Sequence, residues 1–472
     1  MRWLRIAVVV LGGWLCMIGL VGGAVAHADG GVAGSDLMVA QSLGDRELTV
    51  VIRRAEPVPG PLRVDIITHT GSAAGTLALG VTPSDRGGDG SSGNVVLGDR
   101  AGVYSATLHV DHAGPWELVV GDGDQVAHIP FLVAATVVTP WERAAYGGFF
   151  GAGVLLLVSI GTAMVSKRGW PTLLPAGAMI AALAVGITGA TLSASAPLPR
   201  PAGSLLDPTS DSIGDPYPER QLPMTTNYSR PPVNLTLTTR GVAETSHPTE
   251  LILSLTDAAT GRPVDDLLVN DDALLHLMIV GPNGSFWHRH PIRTGPGEYR
   301  IRLTLNQSGD YGVAAEIARR GGGVQLLRSA LHVSGDSTPV SAPTPAGAEF
   351  VPTALVAGEP GTLTTHFGGS LDLQPWLGMV GHLIAVGPLP DGIPTGSAAA
   401  AAPIWAHAHA MAPMLAPGAQ LPDETVAAYG PDVSFTFTFP LPGRYLVWAQ
   451  AERGYSVLTV PTTVDVRAKE PQ

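Results

Sequence analysis

Apolar positions along this 472-residue chain follow two different rhythms. Over residues 44–138, 231–335 and 346–467 they alternate with polar ones in short runs, as in Leu48-Thr49-Val50-Val51-Ile52 and Trp116-Glu117-Leu118-Val119-Val120. Alternation is the period of a strand with one buried face. Gly- and Asp-rich turns such as Asp85-Arg86-Gly87-Gly88-Asp89-Gly90 separate the runs, so each region is expected to be an immunoglobulin-like antiparallel β-sandwich. The second rhythm is unbroken. Residues 144–165 and 170–192 are apolar throughout, each with the ~20 residues a helix needs to cross a bilayer. Only Ser166-Lys167-Arg168-Gly169 separates them, which predicts a transmembrane hairpin with loop 166–169. The expected fold class is therefore mainly β: three sandwiches plus a two-helix hairpin. Residues 193–230, rich in Pro, Ser, Asp and Thr, read as a solvated linker.

The N-terminus carries Arg2 and Arg5, an apolar stretch from Ile6 to Val21, then Ala24-Val25-Ala26 and Ala26-His27-Ala28. That order predicts a secretory signal peptide over 1–28, cleaved after Ala26 or Ala28, with an uncleaved anchor as the alternative. Export of the N-terminus and retention of Lys167-Arg168 inside agree on one topology. The chain is expected in the cytoplasmic membrane, with its N- and C-terminal domains extracytoplasmic. Neither apolar segment has an ionisable residue in its middle, so they read as an anchor rather than an ion pathway.

A phrase recurs in all three strand-rich regions. Tyr104, Tyr299 and Val433 each lie in an alternating strand, ten residues before Gly114, Gly309 and Gly443 of a Gly-x-aromatic turn. It predicts two consecutive strands, the second burying an aromatic in the sandwich.

Composition narrows the chemistry. Charged residues are 14%, and Gly and Pro number 59 and 41, a balance suited to turn-rich β-domains. The net charge of −12 excludes a basic nucleic-acid-binding face. The single cysteine, Cys16, lies in the N-terminal apolar run, so a metal site in the mature protein would use His, Met, carboxylate or backbone ligands. No Gly-x-Ser-x-Gly elbow, phosphate-binding glycine loop or His-Glu-x-x-His is present, so no enzyme is expected.

The last two domains share a second phrase. His276-Leu277-Met278-Ile279-Val280-Gly281-Pro282 precedes Trp287-His288-Arg289-His290, and His382-Leu383-Ile384-Ala385-Val386-Gly387-Pro388 precedes Trp405-Ala406-His407-Ala408-His409. An insertion, Leu389 to Pro403, lengthens the second copy. In a strand the two histidines of each H-x-H project to one face. Whether His276 and His382 join them depends on register. A tight turn on Pro282-Asn283 would set His276 opposite Arg289, on the wrong face, whereas a bulge or odd-length loop would correct this. Three convergent imidazoles suit Cu²⁺ or Zn²⁺, and a thioether from Met411 or Met379 would add preference for Cu⁺. The expected metal ligands are His276, His288, His290, His382, His407, His409 and Met411, one ion to each histidine domain. After cleavage at Ala26, His27 and Asp29 would offer a further N-terminal copper site. His69, His109, His112 and His128 have no partner in this pattern and are expected at the surface or in turns. The pairs Asp265-Asp266 and Asp271-Asp272 are expected beside turns.

The H-L-x-x-V…H-x-H arrangement, followed in the second domain by Gly-x-Tyr turns, resembles exported, membrane-anchored bacterial domains associated with heavy-metal and copper handling. The first domain is similar to FixH/YtkA-like and CopC-like sandwiches, although it lacks H-x-H. The resemblance implies an immunoglobulin-like fold and copper binding, with zinc as the alternative cofactor, and does not imply catalysis. Expected partners are the membrane, a metal ion and another envelope or copper-handling protein, with no nucleic acid. The competing reading is a non-enzymatic envelope scaffold whose histidines are structural.

Overall fold

The computed structural model describes residues 36–53, 55, 57–84, 90–133, 139–166, 169–195, 231–320, 322–337, 345–351, 353–410 and 424–470. The signal peptide with Cys16, His27 and Asp29, the Lys167-Arg168 pair, most of the linker, Met411 and Met414 lie outside the described residues.

Strands are numbered in chain order. The first sandwich has eight: β1 Leu37–Leu43, β2 Arg46–Ile52, β3 Gly60–Thr68, β4 Gly75–Pro83, β5 Ser91–Leu97, β6 Gly102–Val110, β7 Gly114–Gly121 and β8 Val126–Val133. They form two antiparallel sheets, ordered β1-β2-β3-β6 and β5-β4-β7-β8. The domain begins earlier than the expected residue 44. Leu37 to Leu43 pair along their whole length with β2 through a two-residue turn in which Gly44 takes φ +62°, a conformation that suits glycine.

Two helices follow, α1 Pro140–Val165 and α2 Leu173–Ser195, joined through a single 3₁₀ turn at Trp170–Thr172. α1 starts four residues before the expected 144 because Thr139 caps it, its Oγ1 accepting from the Glu142 N–H at 2.9 Å, with Pro140 preset at the first helical position. α2 runs past the expected 192 into the expected linker, and Ser193 Oγ lies 3.3 Å from Thr139 Oγ1. The helices touch where side chains are smallest. A Cβ on Gly148 would meet the Gly186 nitrogen at 2.3 Å, so glycine sets the approach. Mean hydropathies of 2.0 and 1.9, with little of either helix buried, make both long and apolar enough to cross a membrane.

The second sandwich contains β9 Val233–Thr239, β10 Pro248–Asp257, β11 Leu267–Leu268, β12 His276–Val280, β13 Phe286–Arg289, β14 Ile292–Gly295, β15 Glu298–Thr304, β16 Gly309–Arg319 and β17 Gly323–Val333. One sheet runs β14-β15-β10-β9; in the other β16 pairs with β11, β12 and β17, and β13 pairs with β12. The third contains β18 Glu349–Phe350, β19 Leu355–Val356, β20 Pro360–His366, β21 Gly381–Gly387, β22 Ile404–Ala410, β23 Asp432–Thr438, β24 Gly443–Arg453 and β25 Ser456–Arg467. Its sheets run β18-β20-β23 and β19-β25-β24-β21-β22.

The Gly-x-aromatic phrase makes the same corner three times. Gly114, Gly309 and Gly443 take φ +137°, +127° and +132°, and Trp116, Tyr311 and Tyr445 are buried. Each aromatic donates to a carbonyl four residues upstream: Trp116 Nε1 to His112 at 3.1 Å, Tyr311 Oη to Gln307 at 2.8 Å, Tyr445 Oη to Leu441 at 2.8 Å. Such corners satisfy the polar end of a buried ring.

The first and second sandwiches share one continuous apolar core, while the third has its own. Second and third meet through the outer faces of β12 and β21. Leu277 and Ile279 face the second domain's core and Leu383 and Ala385 the third's. Met278 and Val280 instead pack with Ile384, Val386, Trp405 and Trp448 between the domains, and Phe286 stacks on Trp448 with centroids 4.6 Å apart. The insertion after Pro388 forms α3 Thr395–Ala401 against β16, where a Cβ on Gly312 would meet the Ala400 nitrogen at 2.7 Å.

Candidate metal centre

Register decides which face His276 takes. β12 pairs with β13 as Leu277↔Arg289 and Met278↔His288, so the connection from Gly281 to Ser285 has five residues. This is the odd-length loop that turns His276 to the side of His288 and His290. In the third domain His382 pairs directly with His409 and Ile384 with His407, which puts those three histidines on one face. Both faces are the ones buried between the domains. The six histidines form a single cluster: the third domain's three group together as expected, whereas in the second domain His276 and His288 group with His407 of the third rather than with His290. His276 and His407 rings lie 5.1 Å apart, His288 and His407 5.0 Å, His288 and His382 5.8 Å.

The hydrogen bonds assign the tautomers. Backbone carbonyls only accept, so His276 Nε2 donates to Asn270 O at 3.0 Å, and His382 Nε2 donates to Trp376 O at 3.0 Å. Each ring keeps a lone pair on Nδ1. His288 Nδ1 donates to Gln450 Oε1 at 2.9 Å, whose Nε2 is engaged by Thr459 Oγ1, and His407 Nδ1 donates to Glu316 Oε1 at 3.3 Å. These rings keep lone pairs on Nε2. The pattern is reciprocal. Glu316 stands opposite His276 on β16 yet holds the third domain's His407, and Gln450 stands opposite His382 on β24 yet holds the second domain's His288.

The free lone pairs point at one another: His276 Nδ1 lies 3.2 Å from His288 Nε2 and His382 Nδ1 lies 3.1 Å from His407 Nε2. His409 Nε2 lies 3.3 Å from His407 Nε2. Nitrogens ~2.0–2.1 Å from a tetrahedral ion stand roughly 3.3 Å apart. Two triads could hold an ion, His276-His288-His407 and His382-His407-His409, with ligand atoms all within 4.8 Å in each. They share His407. Outer partners that fix ring orientation in this way are the usual second layer of a metal site.

Burial holds His276 below the ordinary histidine range and His288, His290, His382 and His407 well below it, neighbouring imidazoles adding to the effect. Neutral imidazole is the ligating form. Two carboxylates supply negative charge: Glu316, itself raised by burial, and Asp271, whose Oδ2 is 3.8 Å from His409 Nε2. Trp376 covers the cluster edge-on, 4.8 Å from the His382 ring and 5.3 Å from His288.

His69 opens a turn, its carbonyl accepting from the Ser72 N–H at 3.1 Å, but it is not at the surface: it is 6% exposed, with Nδ1 2.7 Å from Glu452 Oε1 of the third domain and Nε2 3.0 Å from Thr49 Oγ1. Burial alone would lower its pKa, but the Glu452 hydrogen bond and the charges of Glu424, Glu452 and Glu47 outweigh that and raise it to about 9. The pair Asp271-Asp272 also does more than flank a turn. Both take positive φ, +47° and +55°, and Asp272 is raised to about 8 by burial, Glu424 and Asp271. His128 bonds Glu117 and His112 bonds Asp111; neither approaches the cluster. Met379 is buried beside Trp376.

Residues 348–468 match a domain of unknown function, DUF8832. No curated protein matches. Similar solved structures include a tetra-tandem repeat from the extending region of a large adhesion protein (10% identity, 91% of this chain and 74% of that one, TM-score 0.17). A DUF4785 family protein from Legionella pneumophila is 12% identical over 49% of this chain and 54% of that one, with TM-score 0.18. The FN1–FN3 domains of chicken CNTN1 are 8% identical over 92% of this chain and 99% of that one, with TM-score 0.15.

Proposed function

We propose that this chain is a membrane-anchored, extracytoplasmic metal-binding protein that buffers or delivers copper, with zinc as the alternative ion, through one centre shared by its second and third sandwiches. The observation that carries this reading is the facing of lone pairs at 3.2 Å between His276 and His288 and at 3.1 Å between His382 and His407, in rings whose other nitrogens are engaged. Neutral lone pairs at that separation repel unless a cation or proton lies between them. The described donors are all imidazole nitrogen, for which divalent affinity rises to a maximum at Cu²⁺. Glu316 and Asp271 would offset the charge of one divalent ion or two monovalent ones. Met411 follows His409 by two residues, and a thioether there would favour Cu⁺. The secretory leader and the Lys167-Arg168 turn support placing the sandwiches outside.

The test uses the full chain in detergent, because removing the first sandwich would uncover the core it shares with the second. The chain is loaded with Cu²⁺ or Zn²⁺, desalted and assayed for metal by mass spectrometry. Retention at a whole-number ratio, lost in the His288→Ala/His407→Ala double variant, is expected. Retention indifferent to both substitutions would favour the scaffold reading.

A further inference from the structure

Five of the six clustered histidines belong to a triad; His290 belongs to neither. Its ring is nonetheless 3% exposed, 5.0 Å from His288 and 5.2 Å from His276, and its Nε2 is buried without a hydrogen-bond partner. An orphaned imidazole nitrogen is costly to keep. The ring is also held firmly in place. Strand β1 of the first sandwich clamps the His290 backbone, Ser42 N–H donating to His290 O at 2.7 Å and the His290 N–H donating to Ser42 Oγ at 3.0 Å.

His290 lines a cavity of about 30 Å³ where the three sandwiches meet, together with Glu47, His69, His288, Arg289 and Trp376. A single water needs roughly half that volume. Glu47 and Arg289 form an ion pair at 3.1 Å, with side chains 36% and 35% exposed, and therefore stand at the mouth. Exposure falls inward to 3% at His290 and 2% at His288.

We propose that this cavity is the port of the metal centre, with Glu47 as the outer acceptor of a divalent or monovalent transition-metal cation and His290 as the ligand that hands it to His288 and His276. It rests on the metal-binding reading above. An arriving cation displaces Arg289 from the Glu47 carboxylate, then exchanges oxygen for the His290 nitrogen, then joins the His276-His288-His407 triad. No covalent bond is made or broken: metal–ligand bonds exchange and the Glu47–Arg289 ion pair opens. The first sandwich, which contributes no triad ligand among the described residues, thereby gains a role: it builds the port wall and fixes the ring that passes the ion inward.

The test is stopped-flow mixing of the full-length, metal-free chain with Cu²⁺, followed by quenching of tryptophan fluorescence, for which Trp376 beside the centre is the reporter. Equilibrium metal content is measured in parallel. His290→Ala is expected to keep the wild-type content while slowing both loading and chelator-driven release by about tenfold or more. Glu47→Gln, at the exposed rim, is expected to slow loading with content unchanged, and Arg289→Ala to speed it. Wild-type rates in both His290→Ala and Glu47→Gln, or a fall in metal content in His290→Ala, would overturn the port. A wild-type chain that retains no metal at all would instead sink the metal-binding reading.

Discussion

Acid should loosen this protein steeply, and the slope follows from its buried groups. His276, His288, His290, His382 and His407 are held neutral in the folded chain, chiefly by burial. In the unfolded chain each takes up a proton below about pH 6.5. Asp272, raised to about 8, and Glu424, raised to about 7 chiefly by burial, act oppositely. They hold protons in the folded state that the unfolded chain releases above its ordinary carboxylate range. As pH falls from about 6.5 towards 5 the unfolded chain thus comes to bind up to five extra protons against the folded chain's two, a net of at most three favouring unfolding. Each is worth about 1.4 kcal/mol per pH unit, so stability falls by up to ~4 kcal/mol per unit of acidification. Glu316 and Glu47, also raised by burial, trim this slope at the acid end. His69, raised to about 9, contributes fully below pH 6.5 and loses its contribution only as pH rises through 9, so it does not alter the window. Against a typical domain stability of about 5–15 kcal/mol, one or two pH units suffice. Urea unfolding of the metal-free chain in detergent, at pH 7.0 and 5.5, should show the loss by tryptophan fluorescence. Equal midpoints at the two pH values would refute the reasoning. Metal held in the triads would keep His276, His288, His382 and His407 deprotonated, and should carry the transition to lower pH.

Three further outcomes follow from single contacts. His407→Ala should weaken both triads, because each loses a ligand: sharing ~10–16 kcal/mol over the three ligands of a triad gives about 4 kcal/mol each, or roughly three powers of ten in affinity, read by chelator competition. His409→Ala, by contrast, should spare the His276-His288-His407 triad. Gln450→Ala removes the acceptor that orients His288 and should weaken metal binding by about 10–100-fold while leaving the fluorescence of the metal-free chain unchanged. Gly443→Ala would force a side chain into φ +132° with its Cβ 2.6 Å from Pro388 Cβ; a loss of about 1–3 kcal/mol should appear as a lower thermal midpoint.

Strand rhythm, turn residues and the apolar helices made the β architecture and the hairpin readable from sequence, because each is a local pattern. The histidine phrases were readable for the same reason. Their union into one centre was not, since it depends on how two whole sheets meet. A sign of it was nevertheless present. Met278 and Val280, and Ile384 and Val386, alternate with residues already committed to each domain's own core, so β12 and β21 are apolar on both faces. A strand apolar on both faces expects a cover on each. His69 left no comparable trace: its partner Glu452 is 383 residues away, and nothing in the neighbouring sequence announces the pairing. The early start of the first sandwich was missed because Leu37 to Leu43 carries no strict alternation.

The core common to the first and second sandwiches is interrupted in sequence by the helical hairpin. Half of that interior is thus synthesised before the anchor and half after it. If the hairpin crosses a membrane, the halves can close only when both helices insert and bring the chain back to its starting side. A lesion that let one helix slip out would strand the two halves on opposite sides of the bilayer, each with a raw apolar flank. On that topology correct insertion is a precondition of folding, and quality control acting on exposed apolar surface would read a topological error as a folding error.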